Sequence, residues 1–265
     1  KEVARIGDIL HSSPEVVAAP NEGYGNVLSE STAVKTLAGS YQTFRDRYRN
    51  RRHVVYVGAN DGMLHAFNAG FFDDSSAAYR LTPAAGGTGT ELAHALGTEL
   101  WAYVPKNVLP HLKFLTDPAY AHLYYVDGSP QAYDLKIFPD DGPTGTHPGG
   151  WGTVLMVTLG FGGGADEFPT TVDVQGDANP ANDVKTRSAI VLLDVTNPEE
   201  PPRLLAELTP DNLHYTLSAP HPVLVRNGTN EAWFLIAGSG PSNRAAANYI
   251  SSATGRAAEL MVFDL

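Results

Sequence analysis

The stretch His53-Val-Val-Tyr-Val-Gly-Ala-Asn-Asp-Gly-Met-Leu-His-Ala-Phe67 decides the fold class. Its first six residues form a β-branched, apolar run. Ala59-Asn-Asp-Gly62 is a turn, because Asp bonds to nearby backbone and Gly accepts positive φ. Met63 to Phe67 then alternates roughly between apolar and polar positions. Asp-Gly between two such runs is a strong hairpin signal. A polar, Gly-rich insertion at residues 68–98 separates this hairpin from a third run, Glu99-Leu-Trp-Ala-Tyr-Val104. Strand, tight turn, strand, loop, strand is one propeller blade.

Downstream the theme recurs. Leu123-Tyr-Tyr-Val126, Asp127-Gly128 and Gln131 to Phe138 read as a second hairpin. Trp151 to Leu159 is a long strand closed by Gly160-Phe-Gly-Gly-Gly164. Ser188 to Val195 and Arg203 to Leu208 pair across Thr196-Asn-Pro198. His221 to Val225 and Glu231 to Ala237 flank Asn227-Gly228, and Glu259 to Asp264 begins one more strand. A few strands every 40–60 residues fit radial or stacked blades better than alternating βα units. A β-sandwich is the other reading of this degenerate repeat. Residues 165–187 interrupt it as a polar, Asp- and Asn-rich loop insertion.

Upstream, Ala4 to Pro14 reads as a short strand ended by a Ser-Ser-Pro turn. Residues 31–50 read as a helix, with Ala33, Leu37, Tyr41, Phe44 and Tyr48 at three-to-four spacing. The organisation is thus an opening strand and helical lead-in over residues 1–50, then propeller blades over 51–265. The fold expected is all-β: a propeller segment with long loop insertions, its ring incomplete within this chain.

Composition narrows the function. The 265 residues carry a net charge of −11, from 18 basic and 29 acidic side chains, the wrong balance for neutralising phosphates. Arg45, Arg47, Arg49, Arg51 and Arg52 cluster, and in an acidic field they read as a solvated helix or loop face. With no cysteine, disulfides, thiolate metal sites and a cysteine nucleophile are excluded. No apolar run approaches the roughly 20 residues of a membrane-spanning helix. A chain beginning with Lys1 reads as a piece of a longer product.

Several blocks resemble, in order, the C-terminal domain of the PilY/PilC-type type IV pilus tip-associated proteins. They are Arg5-Ile-Gly-Asp-Ile-Leu-His-Ser-Ser-Pro14, Val55 to Phe67, Gly97 to Pro105, Tyr125-Val-Asp-Gly-Ser-Pro130, Trp151-Gly-Thr-Val-Leu155, Leu193-Asp-Val-Thr-Asn-Pro198 and Thr216-Leu-Ser-Ala-Pro220. The resemblance spans nearly the whole chain. It implies a modified, quinoprotein-like β-propeller and a protein exported through the periplasm to the outer cell surface. There it would serve as a pilus tip adhesin or biogenesis factor, with pilins or minor pilins and a host or surface receptor as partners. It also implies calcium. The family's Asp-x-Asp-x-Asp-Gly loop is absent from this sequence, so that implication attaches to no matching residue.

Among candidate sites, Asp173, Asp177, Asn179 and Asp183 gather the oxygen ligands that calcium favours, although their spacing is not that of an EF-hand. An acidic solvated loop is the plain alternative. Asp61-Gly62 and Asp127-Gly128 read as turn caps. His65, His94, His111, His122, His147, His214 and His221 are scattered, without metal-ligand spacing. Gly160 to Gly164 lacks the Lys-Ser/Thr of a phosphate loop, and Ala237-Gly-Ser-Gly-Pro241 departs from a nucleophile elbow after its serine. Trp101, Trp151 and Trp233 are expected between blades. The reading is non-enzymatic. Its rivals are a pyrroloquinoline-quinone-dependent periplasmic dehydrogenase and a structural component of a filament or envelope.

Overall fold

The computed structural model describes residues 6–26, 31–83, 91–164, 171–227, 230–242 and 259–265. They form three antiparallel meanders and a small ribbon. The first sheet contains β1 (Glu15–Val17), β2 (His53–Gly58), β3 (Leu64–Asp73), β4 (Ala78–Arg80) and β5 (Glu99–Tyr103). β1, β2 and β3 are neighbours in that order, β5 pairs with the first half of β3, and β4 with its end. The second sheet runs in order through β6 (Gln131–Lys136), β7 (Trp151–Thr158) and, beyond the ribbon of β8 (Thr171–Val172) and β9 (Val184–Lys185), β10 (Ile190–Asp194) and β11 (Arg203–Leu208). The third comprises β12 (His221–Asn227), β13 (Asn230–Gly238) and β14 (Leu260–Asp264).

The second sheet is the filling of the stack. All eight β7 residues and all five of β10 are buried. Successive side chains of a strand point to opposite faces, so each strand serves two cores. Leu155, Val157, Val191 and Leu193 pack with Val54, Tyr56, Leu64 and Ala66 of the first sheet. Val154, Met156, Ile190 and Leu192 pack with Trp233, Leu235, Ala237 and Met261 of the third. A strand covered on both sides needs apolar residues throughout, which is why 151–159 reads as a continuous run. Neither core joins the first sheet to the third. The outer face of the third sheet leaves Val225, Leu260 and Val262 exposed. The described residues thus form an open stack of blades, as expected for a propeller segment.

The helix α1 (Thr32–Tyr48) lies between β1 and β2 in the chain and closes the second core. Leu37, Tyr41, Phe44 and Tyr48 are its buried stripe, each burial worth about 1.5–3 kcal/mol. Ala33, read as part of that stripe, is half-buried. Tyr41 stands edge-on to Trp151, ring centroids 4.8 Å apart. Trp151 and Trp233 lie in this core, while half-buried Trp101 packs on the first.

Four expectations change. Residues 6–14 form no strand, and the strand follows Pro14. The segment instead caps the first hairpin, with Asn60 N donating to Asp8 O at 2.9 Å and Gly58 N to Ser12 Oγ at 2.9 Å. Residues 123–126 are irregular too, and β6 pairs with β7 across residues 137–150. β3 runs on to Asp73 and β4 follows it, inside the stretch read as an insertion. Arg51 and Arg52, read with the solvated face, are buried at 6% and 1% exposure. The turn at Gly228, and residues 84–90 and 165–170 of the two insertions, lie outside the described residues.

The blades share an opening that the sequence reading did not connect. His11-Ser-Ser-Pro14 precedes β1, Asp127-Gly-Ser-Pro130 precedes β6, and Leu217-Ser-Ala-Pro220 precedes β12. Proline suits this place because it lacks the N–H that a strand interior would use.

Candidate functional site

The three opening turns converge. His11, Asp127 and Leu217, each three residues before its proline, line one cavity of about 340 Å³. Backbone contacts fix the turns to their neighbours. Val126 N donates to Ala59 O at 3.3 Å, Asp127 N to Leu159 O at 3.2 Å and Thr216 N to Gly160 O at 3.0 Å. Thr216 Oγ1 accepts from the Leu159 and Gly160 amides, both at 3.0 Å. Gly128 is glycine for lack of room: its φ is not positive, but a Cβ there would overlap Thr158 Oγ1. Gly62, in the first hairpin, has the positive φ (93°) expected of it.

Asp127 dominates the cavity's electrostatics. Its side chain is 1% exposed, and Oδ2 faces His11 Nδ1 at 2.8 Å. Oδ1 is buried without a hydrogen-bond partner. Burial pushes the carboxyl pKa up, and the His11 ring and the amides of Phe161 and His11 only partly oppose that. His11 is half exposed, and its ring lies 5.5 Å from both Phe161 and Tyr124. No Lys or Arg lines the cavity. The nearby hydroxyls are engaged: besides Thr216, Ser129 Oγ accepts from Ser13 N at 2.9 Å. The cavity thus brings together a buried carboxylate, an imidazole and the Phe161 ring.

The four residues read as calcium ligands lie in the loop between β8 and β9. Asp173 Oδ1 accepts from Gly176 N at 2.6 Å and Asp177 N at 3.3 Å, and its Oδ2 from Ala178 N at 3.0 Å. These amides hold its pKa low. Asp177 caps Asn179 N at 3.0 Å and accepts from Asn182 Nδ2 at 2.9 Å, while Asn179 Oδ1 accepts from Ala181 N at 3.2 Å. Asp183 Oδ1 is buried without a partner. Each of the first three side chains thus caps a turn of its own. Among the described residues, no three His, Asp or Glu side chains are grouped to hold a metal ion.

Three further histidines join carboxylates, His122 pairing its Nε2 with Asp8 Oδ2 at 2.9 Å. His65 Nδ1 is 2.6 Å from Glu99 Oε1 and its Nε2 is 3.1 Å from Asp61 Oδ2. Burial alone would lower its pKa, but the two carboxylates outweigh burial and raise it. Asp61 does cap its turn, accepting from Met63 N at 3.1 Å, and also accepts from Gly7 N at 2.7 Å. His147 Nε2 is 3.0 Å from Asp194 Oδ2, clamping the 139–150 loop. The sequence reading took Asp127 as a turn cap and left His11 aside. The signal that identifies them is the threefold pre-strand turn, where His, Asp and Leu hold one position.

The chain matches the family described as "PilY1 beta-propeller domain" over residues 6–265. A "Type IV pilus biogenesis factor PilY1 homolog" of Xylella fastidiosa is 33% identical over 245 residues, covering 91% of this chain and 14% of its own. "Type IV pilus biogenesis factor PilY1" of Pseudomonas aeruginosa strain UCBPP-PA14 is 31% identical over 243 residues, 89% of this chain and 15% of its own. The chain therefore spans about a seventh of the length of these relatives. The crystal structure of the Pseudomonas aeruginosa PilY1 C-terminal domain is 26% identical. It covers 85% of this chain and 30% of its own, at a TM-score of 0.44.

Proposed function

This chain belongs to the PilY1 beta-propeller domain family, and on that premise we propose that it is the propeller part of a type IV pilus-associated biogenesis factor and tip adhesin. It is exported through the periplasm to the outer surface. It acts by protein–protein contact with pilins or minor pilins and with a host or surface receptor. The observation that carries this reading is the match along nearly the whole chain to a family whose curated relatives are named as pilus biogenesis factors. The stacked sheets support it physically, since a twice-covered central blade is a rigid frame for contact loops.

Immunogold labelling of intact cells with antibody to this segment tests it. Gold at pilus tips and signal in sheared pilus fractions is the expected result. Label confined to the periplasm would refute it, and dye reduction by protein reconstituted with pyrroloquinoline quinone and calcium would then establish the dehydrogenase reading.

A calcium-loaded loop at Asp173, Asp177, Asn179 and Asp183 would add control of these contacts. There the Asp173 carboxylate, which already accepts three backbone amides, would share its remaining acceptor capacity with the ion. Limited proteolysis within residues 171–187 decides this: protection at millimolar calcium supports the site, and unchanged cleavage removes it.

A further inference from the structure

The cavity where the three turns meet holds a charge that the fold leaves half satisfied. Asp127 is 2% exposed and lines the cavity, and its Oδ1 has no hydrogen-bond partner. The amides of Phe161 and His11 face the carboxylate, and its one side-chain partner is His11, on a segment that forms no strand. Buried carboxylates are ordinarily paired with a cation or with enough donors to occupy both oxygens. No Lys or Arg of the lining does so, and the whole chain is acidic.

We propose that this cavity binds an alkyl-ammonium group, the chemistry of a lysine side chain, with Asp127 as counter-ion and the Phe161 ring against the stem and charge. The volume, about 340 Å³, lies within the range of small-ligand pockets. An anion is excluded by the sign of Asp127. A hard metal ion favours several carboxylates, and among the described residues no three acidic or histidine side chains gather here. A guanidinium favours both oxygens of a carboxylate in a planar fork. Here Oδ2 already faces His11, so one oxygen remains, which suits the point charge of an ammonium. Aromatic faces attract such a cation, and the Phe161 ring is held by Tyr124, ring centroids 5.5 Å apart. Oδ1 is covered from solvent, so the cavity wall must give on binding, while the His11 ring stays on Oδ2 and shares the carboxylate. His11 and the ammonium thus compete for one carboxylate.

The inference rests on the cavity and not on the pilus assignment, so either can fail alone. The probe is n-butylammonium chloride, titrated into the 265-residue chain by calorimetry and by amide chemical shifts, with n-butanol as the uncharged isostere. Saturable binding of the ammonium is expected, at least about tenfold weaker in Asp127→Asn and several-fold tighter in His11→Ala, with no saturation by butanol. The inference is overturned by equal binding to Asp127→Asn, by butanol binding as well as the ammonium, or by no saturation in the wild-type chain. A thermal melt checks that Asp127→Asn is folded. Should it not be, weaker binding in Phe161→Leu together with tighter binding in His11→Ala carries the test, and wild-type binding by either variant overturns it. A Gly-Lys-Gly peptide against its Lys-acetylated form separates the sources. Tighter binding than butylammonium marks a polypeptide partner, and weaker binding a free amine.

Discussion

Removing the Arg52 guanidinium should rank with the costliest single truncations beside the first sheet. The side chain is 0% exposed and its partner Glu199 only 7%. The pair is bidentate, Nε to Oε1 at 2.7 Å and Nη2 to Oε2 at 2.8 Å. Nη1 also donates to Asn68 Oδ1 at 2.7 Å and Nη2 to Leu92 O at 2.6 Å, and the guanidinium lies 4.6 Å from the Phe71 ring centroid. Arg52→Ala leaves the Glu199 carboxylate buried with the Leu92 N–H, 3.2 Å away, in place of a cation. Breaking a buried pair from one side costs about 3–5 kcal/mol. For a chain of this length each kcal/mol moves Tm by roughly 2–4 °C, so the expected drop is roughly 6–20 °C. Calorimetric melts of Arg52→Ala, Glu199→Leu and Arg52→Met/Glu199→Leu measure it. The double variant should recover most of the loss, because it leaves no buried charge unpaired, and only the neutral Leu92 amide and carbonyl and the Asn68 side chain lose a partner. A loss below about 1 kcal/mol in Arg52→Ala, or a double variant no better than the single, would refute the reasoning.

Other outcomes follow from the same contacts. Because its folded pKa is raised, His65 contributes fully below about pH 6.5, and that contribution fades as pH rises through the higher folded value. The gap in urea midpoint between wild type and His65→Gln should therefore be widest near pH 6 and narrower near pH 9; a gap independent of pH would contradict the Asp61–His65–Glu99 arrangement. Gly162→Ala would drive a Cβ into the Tyr125 carbonyl oxygen, a backbone atom, and should destabilise by about 1–3 kcal/mol in denaturant melts. Gly39→Ala, exposed on α1 with open space around it, should stabilise by about 0.5–1 kcal/mol. Tyr41→Phe removes a hydroxyl that donates to Asp134 Oδ2 at 2.7 Å and accepts from Glu22 N at 2.7 Å. A loss of about 1–3 kcal/mol is expected from the same melts.

What the sequence by itself determined was local. The hairpin at 53–67, the helix with Leu37, Tyr41, Phe44 and Tyr48 inward, the buried run at 151–159 and the pairing of 221–225 with 231–237 all follow from periodicity and turn chemistry within a few residues. Blocks in a fixed order pointed to the family, because their turns and strand ends are set by neighbouring residues. The tertiary structure alone decided the rest. Residues 123–126 look like a strand but take their backbone partners at the seam between blades. Arg52 reads as a surface charge until Glu199, 147 residues away, meets it in the interior. Asp127 reads as a turn cap until His11, 116 residues earlier, comes to face it. Whether a charge is solvated or buried depends on what the distant chain brings against it, and no pattern of near neighbours carries that information.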